Sequence, residues 1–251
     1  MSGKRVVVVG ASSGLGRCLG VGLAKRGSRV GLLARRQELL ESAVAEAGEG
    51  AVAIRCDATD EAGCKEAIER AASELGGIDA VIYSTAIGEL RRIEDLDSAT
   101  WHRVFDTNVV GASTVTAAAF PHLQASSGMM AYLTSVSASM TAPWPGLASY
   151  TVTKAALDRL VEAWRSEHPE VGFTQLIVGE CSGGDGAGAS QFTSSWDFDL
   201  AGEMYPMWTA RGLLSETLMN VDDFVDAVGG LLQVGSSMAV PTVAMTPRRP
   251  I

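Results

Sequence analysis

Cysteine is scarce and shows no paired spacing. Cys18, Cys56, Cys64 and Cys181 form no Cys-x-x-Cys unit, and the three histidines, His102, His122 and His168, lie far apart in the sequence. That excludes a recognisable metal-binding pattern and a disulfide framework. No apolar stretch approaches the roughly 20 residues that a membrane-spanning helix needs. Basic residues are in the minority, 20 Lys plus Arg against 29 Asp plus Glu for a net charge of −9, which argues against non-specific binding to nucleic acid or anionic membrane. Internal repeats and heptad arrays are absent, and biased composition is confined to residues 182–190. Lys4 and Arg5 before a short valine run faintly imitate a signal peptide, but Gly and Ser break the run at once, so the start reads as cytoplasmic.

What is present is enough apolar material for a substantial core: 47% of the 251 residues are hydrophobic, and a single domain over 1–251 is the expectation. The chain is organised around residues 6–16, VVVVGASSGLG. Four valines without polar alternation predict a strand buried on both faces, as in a parallel sheet covered by helices. Gly10, Gly14 and Gly16 follow, then a helical stretch from Leu15 to Lys25. Glycines between a buried strand and a helix let the backbone approach a pyrophosphate at the positive helix end, so the stretch reads as a dinucleotide cradle.

The rest alternates strand and helix. Strands are predicted at 28–34, 51–55, 78–83, 128–134, 172–178 and 239–245, and helices at 37–47, 60–75, 97–122, 149–168 and 221–234. Regular alternation predicts an α/β fold: a Rossmann-type, doubly wound, parallel seven-stranded sheet with helices on both faces. Residues 179–220 read as a long irregular segment whose Phe192, Trp196, Phe198, Tyr205 and Trp208 suit a lid over a ligand. Arg248 and Arg249 read as a solvated basic tail.

Several positions carry chemistry. The second predicted strand ends in Ala34, Arg35 and Arg36, where a dinucleotide fold puts an acid for NAD(H) or an arginine for the 2′-phosphate of NADP(H). The arginines favour NADP(H), although they would also suit the start of a solvated helix. Asp57 suits either an adenine amino group or, with Thr59, a helix cap. Asn108 falls inside a predicted helix, a poor place for an amide that competes for backbone hydrogen bonds. Tyr150 and Lys154 are four apart on one helix and face the same way, so the ammonium is expected to lower the phenol pKa toward neutrality. The stripe of Trp101, Val104, Phe105 and Val109 is either internal or a contact with a second copy.

The glycine turn, the mid-helix Asn108, a serine after the fifth strand and the Tyr150-x-x-x-Lys154 pair stand in one order over essentially the whole chain. Together they resemble the short-chain dehydrogenase/reductase family. The resemblance implies that Tyr150 is the general acid/base, that Lys154 lowers its pKa and holds the nicotinamide ribose, and that Asn108 holds a water in a proton relay. It implies a serine that polarises the substrate carbonyl: Ser135 counting along the strand, preferred here, or Ser137 counting back from Tyr150. The implied cofactor set is Gly10, Ser12, Ser13, Gly14, Leu15, Gly16, Arg35, Arg36, Asp57, Ala58, Ser84, Thr85 and Ala86, with Tyr150 and Lys154. Two motifs depart from the family pattern. Ser84-Thr85-Ala86-Ile87 replaces Asn-Asn-Ala-Gly, and Gly179-Glu180 replaces Pro-Gly, which puts a carboxylate near the nicotinamide amide. The expected function is an NADP(H)-dependent oxidoreductase interconverting a ketone or aldehyde and an alcohol, with a small-molecule substrate and assembly as a homodimer or homotetramer. The alternatives are a nucleotide-binding epimerase or dehydratase, or a non-catalytic nucleotide-sensing interaction protein.

Overall fold

The structure, a computed structural model, describes residues 3–184, 188–215 and 217–248. Arg249, half of the basic tail pair, and the middle of the 182–190 tract lie outside the described residues.

Elements run in the order β1 (Arg5–Val9), α1 (Gly14–Lys25), β2 (Arg29–Ala34), α2 (Gln37–Ala47), β3 (Ala51–Arg55), α3 (Glu61–Leu75), β4 (Ala80–Tyr83), α4 (Ser98–Phe105), α5 (Gly111–Ser126), β5 (Met129–Ser135), α6 (Val136–Ser139), α7 (Ala148–Glu167), β6 (Gly172–Val178), α8 (Phe198–Ala210), α9 (Val221–Leu231) and β7 (Thr242–Met245). The strands form one parallel sheet in the order β3-β2-β1-β4-β5-β6-β7. This is the doubly wound α/β arrangement that the alternation predicts.

The valine run explains the layers. Val7 and Val9 point into one core with Ile68 of α3, Val115 of α5 and Val161 of α7. Val6 and Val8 point into the opposite core with Leu19 and Leu23 of α1, Leu40 of α2 and Val228 of α9. Successive side chains on a strand alternate faces, so a strand with a helix layer on each side needs an apolar residue at every position. Strand order reverses between β1 and β4, and ligands bind in the crevice beyond the carboxyl ends at such a switch point.

The elements differ from the sequence reading in several places. The helix expected over 97–122 runs on to Ser126 and contains a π-helical segment at Asp106–Val110, with Asn108 inside it. Such a bulge frees backbone from the regular ladder, which removes the objection to an asparagine there. Residues 179–220 are not irregular throughout, because α8 forms within them. Its start is set by Asp197, whose carboxylate accepts from the N–H groups of Asp199 and Leu200 at 2.9 and 3.2 Å. The helix holds Pro206, and its Met204 and Trp208 bury against Leu90 and Leu147 as a third small core. The α3 cap is neither Asp57 nor Thr59 but Asp60, which accepts from Gly63 N–H at 3.1 Å. The seventh strand is shorter than expected, beginning at Thr242. No helix among the described residues is long and apolar enough to cross a membrane.

Candidate active site

A cleft of about 610 Å³ opens at the carboxyl ends of β1, β2, β4 and β5, within the range of about 300–1,000 Å³ usual for small-molecule sites. Gly10 has φ +94, and a Cβ there would lie 2.8 Å from the N of Thr85. At Gly16 a Cβ would run into the Ser84 hydroxyl and the Gly10 carbonyl. The turn and the loop after β4 therefore meet backbone to backbone. Ser84 Oγ donates to the Val9 carbonyl at 2.7 Å, so its hydroxyl ties the two loops together.

At the β2 end of the cleft, Arg36 donates to Ser12 Oγ at 2.8 Å and to Ser13 Oγ at 2.7 Å. Arg35 lies exposed beside it and makes no hydrogen bond or ion pair among the described residues. Partial burial and then the Arg35 charge push the Arg36 guanidinium below its ordinary value. Asp57 also faces the cleft. Burial opposes its charge, but the N–H and hydroxyl of Thr59, at 3.0 and 2.9 Å, with Arg35 and Arg55, hold it below the usual carboxylate range.

At the other end stand Tyr150 and Lys154 of α7. Lys154 is fully buried, and its Nζ donates to the Leu133 carbonyl at 2.6 Å and lies 5.7 Å from the centre of the Tyr150 ring. Burial pushes the ammonium down to about 8, with Asp158 opposing. The Tyr150 phenol is pushed up to about 12 by burial, partly offset by a hydrogen bond with Ser135. This corrects the expectation of a phenol lowered by Lys154. The ammonium faces the ring and a carbonyl, and desolvation outweighs its charge at the hydroxyl.

The structure brings the expected cofactor positions Gly10, Ser12, Ser13, Gly14, Leu15, Gly16, Arg35, Arg36, Asp57, Ala58, Ser84, Thr85 and Ala86 to this one cleft, with Tyr150 and Lys154. Asn108, Ser135 and Ser137 lie behind its wall, all buried. The Ser135 hydroxyl acts on the Tyr150 phenol, opposing the effect of burial, whereas Ser137 bonds Ser135 at 3.0 Å and Thr151 at 3.4 Å. Asn108 accepts from Ile87 N–H at 2.9 Å and donates to the Ile87 carbonyl at 2.8 Å, fixing the loop after β4.

Glu180 overturns a second expectation. Its carboxylate does not line the cleft; it accepts from Ser215 N–H at 2.6 Å and borders a separate cavity of about 220 Å³ with Met140, Thr141 and Leu213. The cleft wall also uses residues that no motif marks. Glu89, nearly buried, accepts from Arg103 at 2.7 Å. Gln191 and Phe192 close the cleft from the segment before α8. The aromatic content of 179–220 signals that such a segment covers something, not which ring does so.

Comparison with known proteins agrees with this architecture. A family model described as short chain dehydrogenase matches residues 4–181. A protein of Sesamum indicum named 11-beta-hydroxysteroid dehydrogenase A is 31% identical over 185 residues, covering 71% of this chain and 53% of the relative. An uncharacterized oxidoreductase of Listeria monocytogenes is 32% identical over 173 residues, covering 67% of this chain and 69% of the relative. The chain spans about half the length of the first curated relatives it matches. Among solved structures, a 3-ketoacyl-(acyl-carrier-protein) reductase from Brucella melitensis complexed with NADH has a TM-score of 0.79 at 22% identity, covering 98% of this chain and 96% of its own. An alcohol dehydrogenase from Thermococcus sibiricus complexed with 5-hydroxy-NADP has a TM-score of 0.77 at 21% identity, covering 96% and 95%. With the family model matching well over half of its length, the chain belongs to the short-chain dehydrogenase/reductase family, a family of oxidoreductases that use nicotinamide dinucleotides.

Proposed function

We propose that the protein is an NADP(H)-dependent oxidoreductase that interconverts a ketone or aldehyde and an alcohol, with Tyr150 as general acid/base. The observation that carries this reading is one cleft with two unlike ends. At one end Arg35 is unpaired beside Arg36, and at the other Tyr150 lines the cleft with Lys154 buried beneath its ring. The residues fit a phosphate-bearing dinucleotide. The first turn of α1 opens into the cleft, where its unpaired N–H groups and dipole favour an anion, and the Arg35 and Arg36 guanidiniums line the same cleft. Asp57 would meet the adenine, and Arg35 and Arg36 the 2′-phosphate. Gly10 to Gly16 would hold the pyrophosphate, and Ser84 to Ala86 would support the middle of the molecule. When bound, the dinucleotide supplies the redox chemistry as hydride donor or acceptor.

The chain supplies the proton. A phenol near 12 is protonated at neutral pH, so Tyr150 is ready to protonate a carbonyl oxygen as it is reduced, and Ser135 donates to the same oxygen. Lys154, still largely an ammonium at neutral pH, stabilises the phenolate that results. Asn108 acts at one remove, by holding the Ile87 backbone and the turn that carries Tyr150. Exposed Val110 and Val152, near the half-exposed Trp101 and Phe105, offer apolar surface for a homodimer or homotetramer.

The test is titration with NADPH and NADH, followed by quenching of tryptophan fluorescence, with Arg35→Ala alongside. Tight NADPH binding that the substitution weakens by about tenfold or more, with NADH little changed, is the expected result. Carbonyl substrates are then screened for NADPH consumption. Binding of neither dinucleotide overturns the reading.

A further inference from the structure

The face of Tyr150 is already covered by a ring of this chain. The Phe192 ring stands edge-on to Tyr150 with centroids 4.8 Å apart. Bare backbone borders both rings: a Cβ on Gly88 would meet Phe192 Cε2 and Cζ at 2.8 Å and Tyr150 Cβ at 3.1 Å. Trp196 closes the slot edge-on at 5.5 Å, with its Nε1 donating to the Gly88 carbonyl at 3.4 Å. Trp196 in turn rests on Trp208, buried and bonded to the Pro145 carbonyl at 2.8 Å. The place Phe192 fills is thus bordered by a backbone without a side chain at Gly88, by the Tyr150 ring and by the Trp196 indole. These surfaces match the thickness and polarity of one flat ring.

Phe192 is held there by ring contacts alone. Among the described residues, the hydrogen bonds of 190–195 are local: Phe192 N–H to Ser190 Oγ, Ser194 to the Gln191 carbonyl, Gln191 to the Ala189 carbonyl, and Trp196 N–H to the Thr193 carbonyl. The flanking residues Gln191, Thr193, Ser194 and Ser195 are exposed. Withdrawing the ring therefore breaks no hydrogen bond to the body of the protein, and an entering ring replaces the contacts it leaves. A short acyclic chain cannot replace them.

We infer that the place the Phe192 ring fills beside Gly88 and Tyr150 is the subsite for a flat six-membered ring of the substrate, that Phe192 holds the place until a cyclic or aromatic ketone displaces it, and that Phe192 and Gly88 thereby set specificity. The inference rests on the oxidoreductase reading only in taking Tyr150 as the group the carbonyl must reach.

The experiment is calorimetric binding of 1-tetralone, a fused aryl ketone, and of 2-hexanone to wild type, Phe192→Ala, Phe192→Trp and Gly88→Ala, with and without NADP⁺. Removing the competing ring raises the fraction of protein ready to bind, so Phe192→Ala is expected to tighten 1-tetralone by about fivefold or more and 2-hexanone by less than about twofold. Phe192→Trp and Gly88→Ala, which overfill the slot, are expected to weaken 1-tetralone. Weaker or unchanged 1-tetralone binding in Phe192→Ala, an equal gain for both ketones, or no binding of 1-tetralone to any form overturns the inference. Because binding is read without turnover, the two ideas fail separately. Selective binding by a protein that binds neither NADPH nor NADH keeps the slot and removes the oxidoreductase reading, while dinucleotide binding and NADPH consumption without the selective gain do the reverse.

Discussion

Asn108 Nδ2 donates to Thr153 Oγ1 at 2.9 Å, and that hydroxyl donates on to the Tyr150 carbonyl at 2.8 Å. One buried amide thereby joins the π-helical segment, the loop after β4 and the first turn of α7. The bulge that tolerates an asparagine also aims it.

Replacing the fully buried Asn108 by Ala leaves the N–H and carbonyl of the half-buried Ile87 without their partner. Orphaned buried groups cost about 1–3 kcal/mol each. Urea denaturation of Asn108→Ala is expected to show a loss of ~3 kcal/mol, and a loss under about 0.5 kcal/mol would refute this account of the amide.

Lys154 destabilises the fold it serves. Its value falls from 10.5 to about 8 on folding. Between those limits the unfolded chain holds more protons than the folded one, so stability rises with pH across that window, and the full penalty stands below it. At complete burial the gap corresponds to ~3 kcal/mol. Lys154→Met is expected to melt higher than wild type at pH 7, to lose the rise toward pH 10, and to lose turnover. Thermal melts across pH check the sign.

The two candidate serines separate by neighbour. Ser135 touches Tyr150, and Ser137 is occupied by Ser135 and Thr151. Ser135→Ala is expected to lower kcat by about 10²–10³, and Ser137→Ala by roughly tenfold or less, acting through Ser135. Steady-state kinetics with equal losses would remove the distinction.

Glu180 ties the end of β6 to Ser215 and faces away from the cleft. Glu180→Ala is expected to lower stability by ~1 kcal/mol, for a half-exposed bond to a charged acceptor. NADPH affinity is expected to hold within about twofold, because the site is not shared. A tenfold loss of NADPH affinity would put the carboxylate back at the cofactor.

Much of the architecture is legible in the sequence because it is local. The valine run has one use in a sheet with helices on both faces, and period and glycine placement locate the cradle within a residue or two of the observed β1 and α1. Four-residue spacing places Tyr150 and Lys154 on one face of α7. Motif order brings the glycine turn, Arg35, Asp57 and Ser84 to one cleft, since a parallel sheet gathers the carboxyl ends of its strands.

What the sequence by itself determined, then, is the alternation, the layering and the set of loops that meet at the cleft, all of them consequences of period and chain order. Only the tertiary structure decided direction and competition. It turned Glu180 to Ser215, bonded Ser137 to Ser135 and Thr151, and laid Phe192 on Tyr150. It also raised the Tyr150 phenol instead of lowering it. Each depends on which of several chemically able groups lies nearer and how much water remains between them. Those quantities belong to packing between segments far apart in the chain, and spacing along it does not encode them.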